Sequence, residues 1–381
     1  MKKMMIYAYT EFNLGDDLFI KVLCERYPDT RFMIIAPRLY KLVFKDIKNL
    51  KVYASDSVLF RGVNYVFRKL KLHPNFVQRL LGDQSDGTVH IGGSIFMQGE
   101  GWAEYVAAAE DIRNKSKPYY LMGANFGPFT DEGYVQHYRK VFPEYTDVCF
   151  REQYSYDLFK DLDNVRMAPD IIFQLKYDGA EPAAEKNGSQ GRTIAISVIK
   201  PSSKALTGFD DLYYEKMKDV AIHFIQQGYA VHFMSFCQHE GDQEAITHIL
   251  GLIPAEYQGQ THVHLYKTDI DDILAALSDA SFIVASRFHA MILGWVFGKP
   301  VFPIAYSKKM INVMQDAYFD GKYTDFAHLA ELTPEMVYES MATNTIDVTL
   351  QANQAEKHFE QLDAYLSPAP FALEGRRSYE S

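Results

Sequence analysis

Cysteine and tryptophan are scarce, with three and two copies in 381 residues. Cys24, Cys149 and Cys237 lie far apart in apolar surroundings, without the paired spacing of a zinc site or a disulfide framework. They read as reduced core thiols of a cytosolic protein. A basic excess is missing too. The net charge of -10 argues against a nucleic-acid partner, because affinity for phosphate backbones comes mostly from a basic surface. No run approaches the ~20 apolar residues that span a bilayer. The opening Met1 to Ile6 resembles a signal-peptide start only until Glu11, Asp16 and Asp17 interrupt it. The expectation is a cytoplasmic protein, with peripheral contact at the inner face of the membrane left open.

What is present is a large apolar content, 48% hydrophobic and 14% aromatic, ample for burial. The chain exceeds what one core usually supports, so two domains are expected. Short β-branched runs alternate with helical periodicity from the first residue, which points to an α/β protein with parallel sheets. Strands are expected at Met4 to Tyr9, Arg31 to Ala36, Lys51 to Ala54, Thr88 to Ile91, Tyr119 to Met122 and Asp147 to Phe150. After a small, polar stretch they resume at Thr193 to Val198, Ala230 to Phe236, His262 to Leu265, Phe282 to Ala285 and Val301 to Ile304. The expected division is a domain over 1–177, a linker over 178–191, a second domain over 192–344, and a C-terminal helix and tail over 345–381. The helix near Glu356 to Leu366 is expected to pack across both lobes.

One stretch concentrates chemistry. Between the strands at 282–285 and 301–304 lies a helix that Ser286 can cap and that Gly298 and Pro300 end. Its first turn holds Arg287 and His289, where cations are misplaced against the positive helix terminus unless an anion binds. The alternative is a pairing of Arg287 with a carboxylate such as Asp279 and a packing role for His289. Other strand ends carry Asn13 with Asp16, a natural helix cap, then Gly92-Gly93-Ser94, and Gly123 to Phe129 with Asn125. Arg151 repeats the strand-end arginine, or bridges to Glu152 or Asp157. His239 and Glu240 form a polar cluster at a ligand-binding sheet edge. His262 and His264 share a strand face, but their spacing is no convincing metal site. Lys41, Lys45 and Lys48, then Arg61, Arg68, Lys69, Lys71 and Arg79 interleaved with Tyr65, Phe67 and Phe76, form either a solvated face or one suited to an anionic membrane.

In order along the chain, Asn13-Leu14-Gly15-Asp16, Gly92-Gly93-Ser94, Gly127-Pro128-Phe129, Arg151 with Ser155, Pro169-Asp170, Arg287-Phe288-His289, Gly298-Lys299-Pro300 and Tyr306 with Lys309 resemble the landmarks of the polysaccharide pyruvyl transferase family. The resemblance implies two Rossmann-like domains in a GT-B-like arrangement, with a cleft between them and a helical C-terminal segment. It places the acceptor on the N-terminal side and the donor on the C-terminal side. It also implies phosphoenolpyruvate as donor substrate, no further cofactor, and a sugar or lipid-linked oligosaccharide as acceptor. Arg287 and His289 match the family's donor-contacting R-x-H. Two departures stand out: Glu152 where aspartate is usual, and Ile91 where many relatives have glycine.

The donor carries a carboxylate and a phosphate, for which Arg287, Arg151 and Lys309 are the expected cations. His289, as an imidazolium, would protonate the methylene carbon, and Asp16 or Glu240 would act as base toward the sugar hydroxyls. Asn13, Gly93, Ser94, Asn125, His239 and Glu240 complete the expected substrate contacts, and no metal is required. A nucleotide-sugar glycosyltransferase and a non-catalytic glycan-binding protein remain as alternatives, because fold does not fix chemistry.

Overall fold

The computed structural model describes residues 1–69, 76–103, 106, 118–177, 179 and 192–367. It contains two parallel sheets. The first has seven strands: β1 (Lys3–Tyr7), β2 (Arg31–Ala36), β3 (Leu50–Ala54), β4 (Gly87–Ile91), β5 (Tyr119–Ala124), β6 (Asp147–Phe150) and β7 (Val165–Met167), in the order β3-β2-β1-β4-β5-β6-β7. The second has six: β8 (Thr193–Ser197), β9 (Ala230–Ser235), β10 (Thr261–Leu265), β11 (Phe282–Ala285), β12 (Val301–Ala305) and β13 (Thr324–Asp325), in the order β10-β9-β8-β11-β12-β13. Both are doubly wound. The first reverses direction between β1 and β4, the second between β8 and β11, and ligands of open α/β sheets bind beyond the carboxyl ends of strands at such points.

The central strands are apolar on both faces, as sheets covered by helices require: β5, β6, β11 and β12 are buried at every position. Three helices position the site, α1 (Leu14–Arg26), α2 (Phe288–Val296) and α3 (Lys308–Asp316), and a further helix, α4 (Glu360–Leu366), lies near the C-terminal end of the described residues. One apolar cluster runs through both lobes, joining Leu14, Leu18 and Phe19 of α1 to Phe288, Met291 and Ile292 of α2. Each such fully buried side chain is worth roughly 1.5–3 kcal/mol. The first turns of α1 and α2 therefore meet across a dry seam. Among the described residues, no helix is long and apolar enough to cross a membrane.

Local capping differs from expectation at two places. Asn13, not Asp16, caps α1: its Oδ1 accepts from the Gly15 amide at 3.1 Å, which leaves Asp16 inside the first turn. Ser286 does not cap α2. Instead Ser197, at the end of β8, accepts from the Ser286 and Arg287 amides, each at 3.1 Å. Gly298 does take the left-handed conformation, φ 63°. The C-terminal α4 returns to the first lobe, where Asp363 accepts from Arg26 at 2.8 Å and from Tyr27 at 2.7 Å. Lys41, Lys45 and Lys48 are exposed. The side chains of Phe67, Arg68, Phe76 and Arg79, residue Lys71, and the linker apart from Gly179 lie outside the described residues.

Candidate active site between the two sheets

The two switch points face each other. From the first lobe, the turn after β1 delivers Asn13 and Asp16, the turn after β4 delivers Gly93 and Ser94, the end of β5 delivers Asn125, and the end of β6 delivers Arg151. From the second, the turn after β11 delivers Arg287 and His289, and the start of α3 delivers Lys309. Backbone contacts hold the lobes in register there. The Leu14 amide donates to Phe236 O at 3.0 Å, Asn13 and Cys237 form an antiparallel bridge, and the Tyr266 hydroxyl donates to the buried Asp17 carboxylate at 2.5 Å.

His289 sits at the centre. Its Nε2 lies 3.4 Å from Arg151 Nη1, and its ring meets Phe19 edge-on at 5.4 Å between centroids. The ring lies so close to α1 that a Cβ at Gly15 would overlap it; only glycine fits that turn. Gly93 serves Arg151 in the same way, since a Cβ there would stand 2.6 Å from both terminal guanidinium nitrogens. Arg151 donates to Asp170 Oδ2 at 2.9 Å and to Asn125 Oδ1 at 2.6 Å, and its guanidinium covers the Phe288 ring at 4.4 Å. Its carboxylate partner is thus Asp170 rather than Glu152 or Asp157. Glu152 instead accepts from Ser155 at 2.8 Å. Lys309 Nζ crosses the cleft to Ser94 Oγ at 3.1 Å, and no carboxylate among the described residues pairs with it.

Arg287 is placed differently from the expectation of an open anion ligand. Its two terminal nitrogens are bound by Glu240 and Asp242, the residue is 5% exposed, and Asp242 is fully buried. Asp242 also accepts from the Phe236 and Cys237 amides at 2.8 and 2.9 Å, tying the arginine to the segment that grips α1. Asp279 is not the partner. Glu240 is engaged by Lys204 as well, at 2.6 Å. Burial opposes its charge, but Arg287 and Lys204 hold its pKa down to about 2, so it is a fixed anion rather than a base. The Asn13 oxygen is used by the cap, and His239 stands at the rim against Phe12, ring centroids 6.3 Å apart.

Two titrating groups face the cleft. Burial raises Asp16 from 3.8 to about 6, against a hydrogen bond from the Gly93 amide and the charges of Arg151 and Lys309. His289 moves the other way: burial, then Arg151, Lys309 and Arg287, hold it well below 6.5. These surroundings favour the neutral imidazole, whereas the role expected of His289 calls for its imidazolium. His232 and His264 hydrogen-bond each other, ring nitrogens 2.9 Å apart, far from this chemistry on the β9–β10 edge.

Residues 12–308 match the family described as polysaccharide pyruvyl transferase, a span that holds every cleft residue named above except Lys309, which follows it directly. The chain belongs to this family. A curated relative, the amylovoran biosynthesis protein AmsJ of Erwinia amylovora, is 23% identical over 272 residues, covering 67% of this chain and 65% of the relative. Among solved structures, Anabaena HepE in complex with UDP and glucose has a TM-score of 0.55 at 12% identity, covering 96% of this chain and 99% of that one. TcCGT1 in complex with UDP has a TM-score of 0.51 at 9% identity, covering 96% and 94%. The neighbours are GT-B glycosyltransferases, and the likeness is one of fold.

In this family member the landmark motifs divide by task. Gly15 and Gly93 make room for His289 and Arg151, a role visible in sequence only as glycine beside a strand end. Asp242 belongs to the polar cluster that the sequence offers after β9, but its pairing with Arg287, 45 residues away, was not legible.

Proposed function

We propose that the protein transfers the pyruvyl group of phosphoenolpyruvate to two hydroxyls of a sugar in a surface polysaccharide or its precursor, forming a ketal and releasing phosphate. The observation that carries this is Lys309, a cation with a hydroxyl partner and no paired carboxylate among the described residues, beside Arg151 and His289 where the two switch points meet. A small anion with two acidic groups suits that vacancy of negative charge. The family match and the likeness to AmsJ, an amylovoran biosynthesis protein, support the same reading.

The residues divide the reaction as follows. Negative charge arriving with the donor favours the imidazolium form of His289, so the proton is acquired on binding rather than held in advance. His289 passes it to the methylene carbon, and C2 becomes electrophilic. Asp16, with its pKa near 6, takes the proton of the attacking hydroxyl, close to the operating pH where a base is most effective. The second hydroxyl displaces phosphate. One hydroxyl proton replaces the one given to carbon, and the other leaves with phosphate. Arg287 braces the site through Asp242 and does not hold the donor in this scheme. Work on a surface glycan fits a cytoplasmic enzyme in peripheral contact with the membrane, Lys41, Lys45, Lys48, Arg61 and Lys69 of the basic face being exposed.

The test is product analysis with each donor class. Phosphate release that requires both phosphoenolpyruvate and a sugar acceptor supports the reading. Nucleotide release from a nucleotide sugar, with phosphoenolpyruvate inert, overturns it.

A further inference from the structure

Beside the donor seat lies a pair of side chains that the scheme above leaves unused. Lys204 ends the short turn Pro201–Lys204 after β8, and Tyr306 follows the last residue of β12. Lys204 Nζ lies 5.6 Å from the centre of the Tyr306 ring, and Lys309 Nζ lies 5.3 Å from it. Two ammonium groups thus converge on one half-buried phenol at the edge of the cleft. Like charges brought together in a partly desolvated place repel, and these two are offset unequally, Lys204 by Glu240 and Lys309 by no ion-paired carboxylate among the described residues. Lys309 has Ser94 as its hydroxyl partner. Lys204 has Glu240, through the same oxygen that Arg287 engages. Arg151 is matched by Asp170. Burial pushes the Tyr306 phenol up, yet Lys309 and Lys204 bring it below its ordinary 10, the response expected of a group close to positive charge.

We propose that Lys204, Tyr306 and Lys309 form the seat for the phosphate of the donor, a phosphate monoester, and for the inorganic phosphate it becomes. This rests on the pyruvyl-transfer reading. On binding, Lys204 turns from Glu240 to a phosphate oxygen, and Glu240 keeps its contact with Arg287, a guanidinium it shares with Asp242. The two ammonium groups and the phenol hydroxyl supply donors to phosphate oxygens. The same contacts draw off the charge that builds on the leaving phosphate as the C–O bond breaks.

Calorimetry on the full chain at low ionic strength, with phosphoenolpyruvate, inorganic phosphate and pyruvate as separate ligands, tests the seat. A hydrogen bond to a charged group contributes about 1.5–3 kcal/mol, so Lys204→Met should weaken phosphoenolpyruvate and phosphate by roughly ten- to hundred-fold and leave pyruvate unchanged. Lys204→Arg should restore most of that loss, and Tyr306→Phe should weaken both phosphate ligands less than Lys204→Met does. Wild-type protein that binds phosphoenolpyruvate while Lys204→Met binds it equally well overturns the seat but not the donor. Equal loss of pyruvate and phosphate overturns it too, as a collapse of the whole cleft. Wild-type protein that binds UDP and not phosphoenolpyruvate removes the donor reading, and the seat with it.

Discussion

Replacing Asp16 with asparagine should make the protein more stable at neutral pH while disabling it. Asp16 is 8% exposed, and its raised pKa means that ionising it in the folded chain is harder than in the unfolded one. Well below pH 3.8 the carboxyl is protonated in both states and the folded chain bears no penalty. As pH rises from 3.8 through about 6, the unfolded chain ionises first and the folded state loses stability, completely so above about 6. Asparagine removes this dependence and keeps an oxygen to accept from the Gly93 amide. With folded and unfolded values of about 6 and 3.8, linkage gives a gain for Asp16→Asn of about 1 kcal/mol at pH 4.5 and about 3 kcal/mol at pH 7.5. Urea unfolding at the two pH values, with the slope of the transition checked for constancy, measures both. Turnover should fall by roughly 10²- to 10⁴-fold, the usual contribution of general acid–base catalysis. A variant less stable than wild type at pH 7.5, or a difference that does not change with pH, would refute the reasoning that burial dominates Asp16.

Gly15→Ala should displace the His289 ring and reduce turnover by more than about ten-fold, since misplacement of a reacting group by about 1 Å can cost 10²-fold; steady-state kinetics and a structure of the variant check it. Asp242→Asn strips one of two anions from a buried guanidinium, Glu240 remaining, and should destabilise the fold by about 1–3 kcal/mol, read as a shift in urea midpoint, with Asp242→Asn/Arg287→Met recovering part of the loss. His289 should remain neutral to well below pH 6.5 in the empty protein and titrate at higher pH with phosphoenolpyruvate bound. Imidazole NMR shifts report both states, and identical titrations would remove His289 from contact with the donor.

The sheets were legible because buried parallel strands need continuous apolar runs, and Phe282 to Ala285 or Tyr119 to Met122 supply them without ambiguity. The edge strands β7 and β13 were not expected, since three and two residues leave no such run to read. Arg287 and His289 were legible as basic residues crowding a helix start. What they do there was not. Whether Arg287 meets a ligand or the protein's own carboxylates depends on Glu240 and Asp242, which a separate strand end carries to it. The charge of His289 depends on burial beneath α1, a property of packing between lobes that no local pattern encodes. The same holds for the cap of α1: Asn13 and Asp16 are both good capping residues, and only the backbone turn at Asn13, φ -100° and ψ 116°, decides between them.

The most direct measurement follows the carbon itself. Phosphoenolpyruvate labelled with ¹³C at C2, incubated with the protein and a glycan acceptor, should yield a quaternary ketal carbon coupled to two sugar oxygens, with one phosphate released for each. Label recovered only as the donor or as free pyruvate, from protein shown to be folded and supplied with a range of glycans, would contradict the account.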